Sequence, residues 1–195
     1  MASAISETKI CNLGLTKIGE KMITSLVDDS NTARLCDLLY AEMRDELLCR
    51  YRWKFAVHRK SVAADSDTPE HGYDYQYSIP ASPVCLRLLK VEVEATELTD
   101  WVREQDKILT SGEDAEIDLT YIRQVTDCAK FPKSFVKALA MSIAEHLAYN
   151  LIQSSAAAER VKLAYDQAIL QARQQNELED WRDEAGNNDW QEEGR

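Results

Sequence analysis

Apolar residues recur at helical spacing near both ends of the chain and alternate with polar residues in its middle. Cys11, Leu15 and Ile18 share one helical face, which Ser3 or Ser6 can cap and Gly19 can close. Gly14 lies in the same helix, where glycine costs about 1 kcal/mol relative to alanine, so it marks the close approach of another helix. Residues 20–30 read as a connector with Ile23 and Leu26 tucked beneath it. Asp28, Asp29, Ser30 or Asn31 caps a second helix over residues 32–51, a rod of ~30 Å. Its stripe is Cys36, Leu39, Tyr40, Met43 and Leu47. Pro132 suits the first turn of a third helix lined by Phe135, Leu139, Ile143 and Leu147. After a break at Ser154 and Ser155, Val161, Ala164, Tyr165, Ala168, Ile169 and Ala172 form a fourth stripe.

The period changes after Tyr51. Trp53, Phe55 and Val57 alternate with Arg52, Lys54 and His58, which predicts a strand entered directly from the helix. Tyr51, Trp53 and Phe55 are then expected to wedge between a helical layer and a sheet layer. Core packing accounts for these aromatics, and a ligand-stacking face has no companion motif. Tyr73, Tyr75 and Tyr77 alternate with Asp74, Gln76 and Ser78. Residues 86–94, 101–103, 107–110 and 117–122 add short strands separated by Pro80, Pro83 and turn residues at 105–106 and 111–114. The spacing predicts an antiparallel meander. The expected fold is α+β: an antiparallel four-helix bundle from residues 1–51 and 131–173, an inserted antiparallel β-sheet subdomain at 52–130, and an acidic C-terminal tail at 174–195.

Charge narrows the function. The 195 residues carry a net charge of −11. A protein that grips duplex DNA neutralises phosphates with clustered Lys and Arg, so sequence-specific DNA binding is disfavoured. An acidic surface instead suits a wall that DNA slides past. Cys11, Cys36, Cys49, Cys85 and Cys128 are an odd number with no CxxC pair, which reads as reduced thiols in a cytoplasmic protein rather than disulfides or a zinc site. The N-terminus has no basic segment followed by an apolar run, and no stretch approaches the ~20 apolar residues of a membrane anchor.

No phosphate-binding glycine loop and no nucleophile elbow occurs, and no cofactor is implied. His146 on an apolar helix face reads as a hydrogen-bonded core or interface residue, His58 as exposed in a basic strand, and His71 as a loop residue. The many carboxylates keep a two-acid glycan hydrolase as the rival class, although solvated helix faces and turns explain them. Arg50, Arg52, Lys54, His58, Arg59 and Lys60 form the one positive stripe evident in the sequence. A solvated edge strand, an interface with an acidic face of the next subunit or of another protein, and a phosphate-contacting patch all fit it.

Beyond Ala172 the fourth stripe fails. Carboxylates crowd residues 177–184, and Gly186, Asn187 and Asn188 should stop any helix. The tail is therefore expected to be disordered in a monomer. Leu178, Trp181 and Trp190 are candidate anchors that order it against a neighbouring subunit or another protein.

The ordered set NLGLTKIGE (12–20), ITSL (23–26), RDELL (44–48), WKFA (53–56), YSIPA (77–81), CLR (85–87) and Phe131-Pro132 before the third helix resembles the tail tubular protein A family. These are head-to-tail adaptors of short-tailed bacteriophages. The similarity spans about residues 10–172. It implies a structural, non-enzymatic protein at the head-tail junction of the virion, found in the host cytoplasm during assembly. It also implies a dodecameric ring beneath the portal protein, carrying the tail nozzle or tail spikes, through whose channel DNA passes without specific binding. Nothing is carried over to residues beyond 172.

Overall fold

The computed structural model describes residues 5–112, 116–151 and 155–185, the last stretch with side chains at 156 and 158–178. The chain divides into two compact units, one of Met1–Leu47 with Asp127–Arg195 and one of Leu48–Thr126.

In the helical unit, α1 (Glu7–Ile18) starts where Ser6 Oγ accepts from the Lys9 amide and stops at Gly19, whose left-handed φ of 78° closes the last turn. The connector is held by Asn12, which accepts from the Ile23 amide and donates to the Ile23 carbonyl, both at 2.9 Å. Asp28 Oδ2 accepts the Thr24 and Ser25 amides, and Ser30 Oγ caps α2 (Asn31–Arg50) at the Ala33 amide. Helix α3 (Lys133–Leu151) is buried almost all round: Phe135, Leu139, Ile143 and Leu147 on one side, Val136, Ala140, Met141 and Ala144 elsewhere. That makes it a central helix, because an element apolar on every side must be enclosed. Helices α1 and α4 (Ser155–Ala185) each run against α3 and scarcely approach one another.

This arrangement overturns the antiparallel four-helix bundle with an inserted sheet. The chain is α+β, with four helices and seven strands in two antiparallel sheets, one of four and one of three, among the described residues. Among the described residues, α2 makes no long backbone approach to another helix. It is tied instead by individual side chains. The Cys36 thiol and burial together push the Cys11 thiol above its ordinary pKa, Tyr40 Oη lies 3.1 Å from Cys128 Sγ, and Ser142 Oγ donates to Met43 Sδ at 3.6 Å. Gly14 meets the expectation of a close approach: an added Cβ would stand 2.7 Å from the Ala140 carbonyl oxygen.

The β unit is no small insertion. One sheet has the order β1-β7-β3-β4 and the other β2-β6-β5, with β1 (Val57–Val62), β2 (Tyr75–Ser78), β3 (Cys85–Val93), β4 (Thr96–Glu97), β5 (Trp101–Glu104), β6 (Lys107–Thr110) and β7 (Ile117–Arg123). Hairpins β3–β4 and β5–β6 are local, but β1 pairs with β7 and β2 with β6, so the topology is not the expected meander. Alternation along β7 sends Ile117, Leu119 and Tyr121 into a core shared with Val91, Tyr77 and Ile108. Asp118 and Thr120 point to the opposite face.

The expected strand at Trp53 begins later. Residues Lys54–Ala56 form a 3-10 turn in which the Ala56 and Val57 amides both bond the Trp53 carbonyl, at 3.0 and 3.1 Å. The aromatic alternation at Trp53 and Phe55 is therefore not a strand period. Strand β1 starts at Val57.

Candidate functional site

The expected basic stripe is divided by strand geometry. Arg59, Thr120 and Lys90 stand in one row across β1, β7 and β3, and Ser61, Asp118 and Glu92 in the next row on the same face. Arg52 joins Arg59, Lys90, Glu92 and Glu97 around an open groove of about 500 Å³. Lys90 Nζ is 2.8 Å from Glu92 and 4.0 Å from Glu97, and the hydrogen bond to Glu92 holds the lysine above its ordinary pKa. Ser61 Oγ donates to Asp118 on the same face. The groove is thus mixed in charge and fits a polar partner rather than a strongly anionic one.

Lys60 follows Arg59 and so takes the other face of β1, opposite Leu119. His58 shares that face and is half-buried, edge-on to the Tyr121 ring with centroids 5.4 Å apart. Arg50 is exposed at the end of α2. The structure therefore brings Arg52 and Arg59 together and sets Lys60 apart from them.

Trp53 is fully buried, whereas Tyr51 and Phe55 are half-buried. Tyr51 meets Trp53 edge-on at 5.7 Å, and Phe55 lies tilted at 6.4 Å on a Trp53 ring so enclosed. Three rings arranged this way form a packed cluster and leave no open stacking slot between them.

A second cationic surface belongs to the helical unit and is not marked by any run of basic residues in the sequence. Lys17 from α1, Lys133 and Lys137 from α3 and Arg160 from α4 line two adjoining troughs of about 270 Å³ each, which share Lys17, Lys137 and Met141. Leu13, Val136 and Ala140 floor one, and Val161, Ala164 and Ala168 the other. No carboxylate lines either trough among the described residues. Lys137 Nζ donates to Gln171 at 2.8 Å. Residues more than a hundred positions apart make this surface, so no run of basic residues announces it. The detectable signal was the i, i+4 spacing of Lys133 and Lys137 at the start of a helix, where cations are electrostatically unfavourable.

Helix α4 has two unlike sides. Val161, Tyr165, Ala168, Ile169 and Ala172 are buried, whereas Leu163, Leu170 and Leu178 are 63%, 54% and 66% exposed. The helix continues to Ala185, past the point at which the sequence predicts a disordered tail. Leu178 is an exposed position on it. The side chain of Trp181, and Trp190 altogether, lie outside the described residues.

The histidines of the described residues lie apart from one another. His146 Nδ1 is 2.9 Å from the Ser142 carbonyl and 3.9 Å from Glu145, and His71 is exposed. No group of three His, Cys, Asp or Glu suited to a metal ion occurs among the described residues. Arg44 is buried in α2 and paired with Asp45, with its guanidinium 5.9 Å from the Tyr40 ring centre. All five cysteines are thiols outside any disulfide, and Cys49 is the most accessible of them. Asp65 accepts from Lys107 Nζ at 2.6 Å and from Ser78 Oγ at 3.0 Å. Burial pulls its pKa up, but these two partners outweigh it and leave the carboxyl below its ordinary value. No helix among the described residues is long and apolar enough to cross a membrane.

Comparison with known proteins adds no relative: no protein-family model matches the chain, and no curated protein sequence matches it.

Proposed function

We propose that this chain is a structural, ring-forming subunit: a head-to-tail adaptor of a short-tailed bacteriophage, seated beneath the portal protein and carrying the tail nozzle or tail spikes. The observation that carries this reading is the ordered set of sequence segments from residue 12 to the third helix that resembles the tail tubular protein A family. The outer row of α4 supports an assembling role. Leu163, Leu170 and Leu178 are large apolar side chains left in solvent on a helix whose other side is already packed. The net charge of −11 per subunit suits a channel wall along which DNA moves without being held. The role asks for no catalytic group.

The test is co-sedimentation of the full chain with purified portal rings, followed by counting of subunits in electron micrographs. A twelve-fold ring on one end of the portal is expected. A chain that stays in the supernatant at saturating portal concentration overturns the assignment. Retention of the assembled ring on duplex DNA at physiological salt would replace the sliding wall with a DNA-gripping protein.

A further inference from the structure

The two adjoining troughs of the helical unit combine four exposed cations, Lys17, Lys133, Lys137 and Arg160, with an apolar floor that includes Val136 and Met141. Such a surface fits an acidic amphipathic helix, which offers apolar anchors to the floor and carboxylates to the rim. Phosphate alone would satisfy the rim and leave the floor wet. The chain itself contains the complementary element. Residues 174–185 hold Glu177, Glu179, Asp180, Asp183 and Glu184 against one cation, Arg182, with Leu178 and Trp181 as their only large apolar residues. They are helical, and none from Arg173 to Leu178 is buried.

We propose that the C-terminal turns of α4 from one copy dock in the basic trough of a second copy. A copy cannot fill its own trough. Gln167 and Gln171 of α4 already line it, and the unbroken helix carries Leu178 ~10 Å beyond Gln171 at ~1.5 Å per residue. Donor and acceptor are different surfaces, so the contact is head-to-tail, and its repetition gives a closed ring or an open filament according to the rotation per copy. The contact joins like-charged subunits through locally opposite charge, which makes it sensitive to salt. It stands apart from the adaptor assignment, which portal co-sedimentation reads separately, so either can fail alone.

The test places a photo-crosslinking amino acid at position 178 of the full chain and maps the products at low salt by mass spectrometry. Inter-chain crosslinks to residues 13–17 or 133–141 are expected. They should fall at least tenfold in the Lys133→Glu, Lys137→Glu double variant and at high salt. Both lysines are exposed, so the variant should keep the wild-type circular dichroism and melting temperature. A mixing experiment gives a second readout. The double-lysine variant and a Glu177→Lys, Leu178→Asp variant should each sediment as monomers, and their mixture as a dimer that grows no further. Absent inter-chain crosslinks, crosslinks to another surface, or crosslinks that persist in the lysine variant overturn the proposal. So does duplex DNA bound at physiological salt by the wild type and lost in that variant, which would assign the trough to phosphate.

Discussion

Helix α3 and the last turns of α4 belong to the same unit and are held in place by different means. Helix α3 is enclosed: four large side chains along one side are fully buried, and α1 comes so near that Gly14 has no room for a methyl group against the Ala140 carbonyl. Beyond Ala172, α4 buries no described residue, and Arg173 and Glu177 stand 3.9 Å apart one turn from each other. One helix is therefore fixed by tertiary packing. The other is propagated from turns already formed, which needs no new nucleus. Substitutions in the first should cost stability, and substitutions in the second should cost association.

The sharpest way to break that contrast is Phe135→Ala, which opens a cavity in the enclosed helix. A loss of about 3–5 kcal/mol is expected in a denaturant titration. A loss under about 1 kcal/mol would mean that α3 is not the centre of the unit. Next comes Gly14→Ala. The added methyl would overlap backbone rather than a movable side chain, so a loss of about 1–3 kcal/mol is expected despite alanine's better helix propensity. A stabilised variant would mean that α1 and α3 part easily.

Asp65→Asn tests the β unit, where polar pairing rather than packing is at stake. The depressed carboxyl pKa stabilises the fold above the unfolded pKa, and that contribution disappears as pH falls through the lower folded value. The variant should melt below the wild type at pH 7, and the gap should close as pH is taken below 3.8. A gap that stays constant down to pH 2 would show that the Asp65 charge is not what matters. The smallest effect is expected at the end of α4. Removing residues 174–195 should shift monomer stability by less than about 0.5 kcal/mol while weakening association, both read on the same sample by melting and sedimentation. A large fall in melting temperature would place hidden packing in that segment.

Local chemistry made much of the helical unit legible. Ser6, Gly19 and Ser30 act at the helix ends where their side chains or backbone freedom suit them, and Gly14 marks a close approach. What failed were the inferences about strand pairing and about how the helices are grouped. The alternation of Trp53 and Phe55 imitates a strand, yet two amides folding back to the Trp53 carbonyl make a tight turn there. The pairing of β1 with β7 joins segments nearly sixty residues apart, and no turn residue encodes it. Four stripes suggested four equivalent helices, but α2 is tied by Tyr40, Cys36 and Met43 rather than by a continuous seam. The basic surfaces were the least legible in the sequence. Arg59 and Lys60 are adjacent in sequence and opposed in space, whereas Lys17, Lys137 and Arg160 are scattered in sequence and gathered in space.

The distribution of thiols has a practical corollary. Cys11, Cys36, Cys85 and Cys128 are buried at sites spread over both units, and a thiol reagent can reach each one only when the structure around it opens. The wild-type chain thus carries built-in clocks. Cys49 should label first, from its more accessible position. The rates at Cys11 and Cys36 time the separation of α1 from α2, and the rate at Cys85 times the breathing of the β core. Labelling followed peptide by peptide, without any engineered probe, would show whether the two units open together or one at a time.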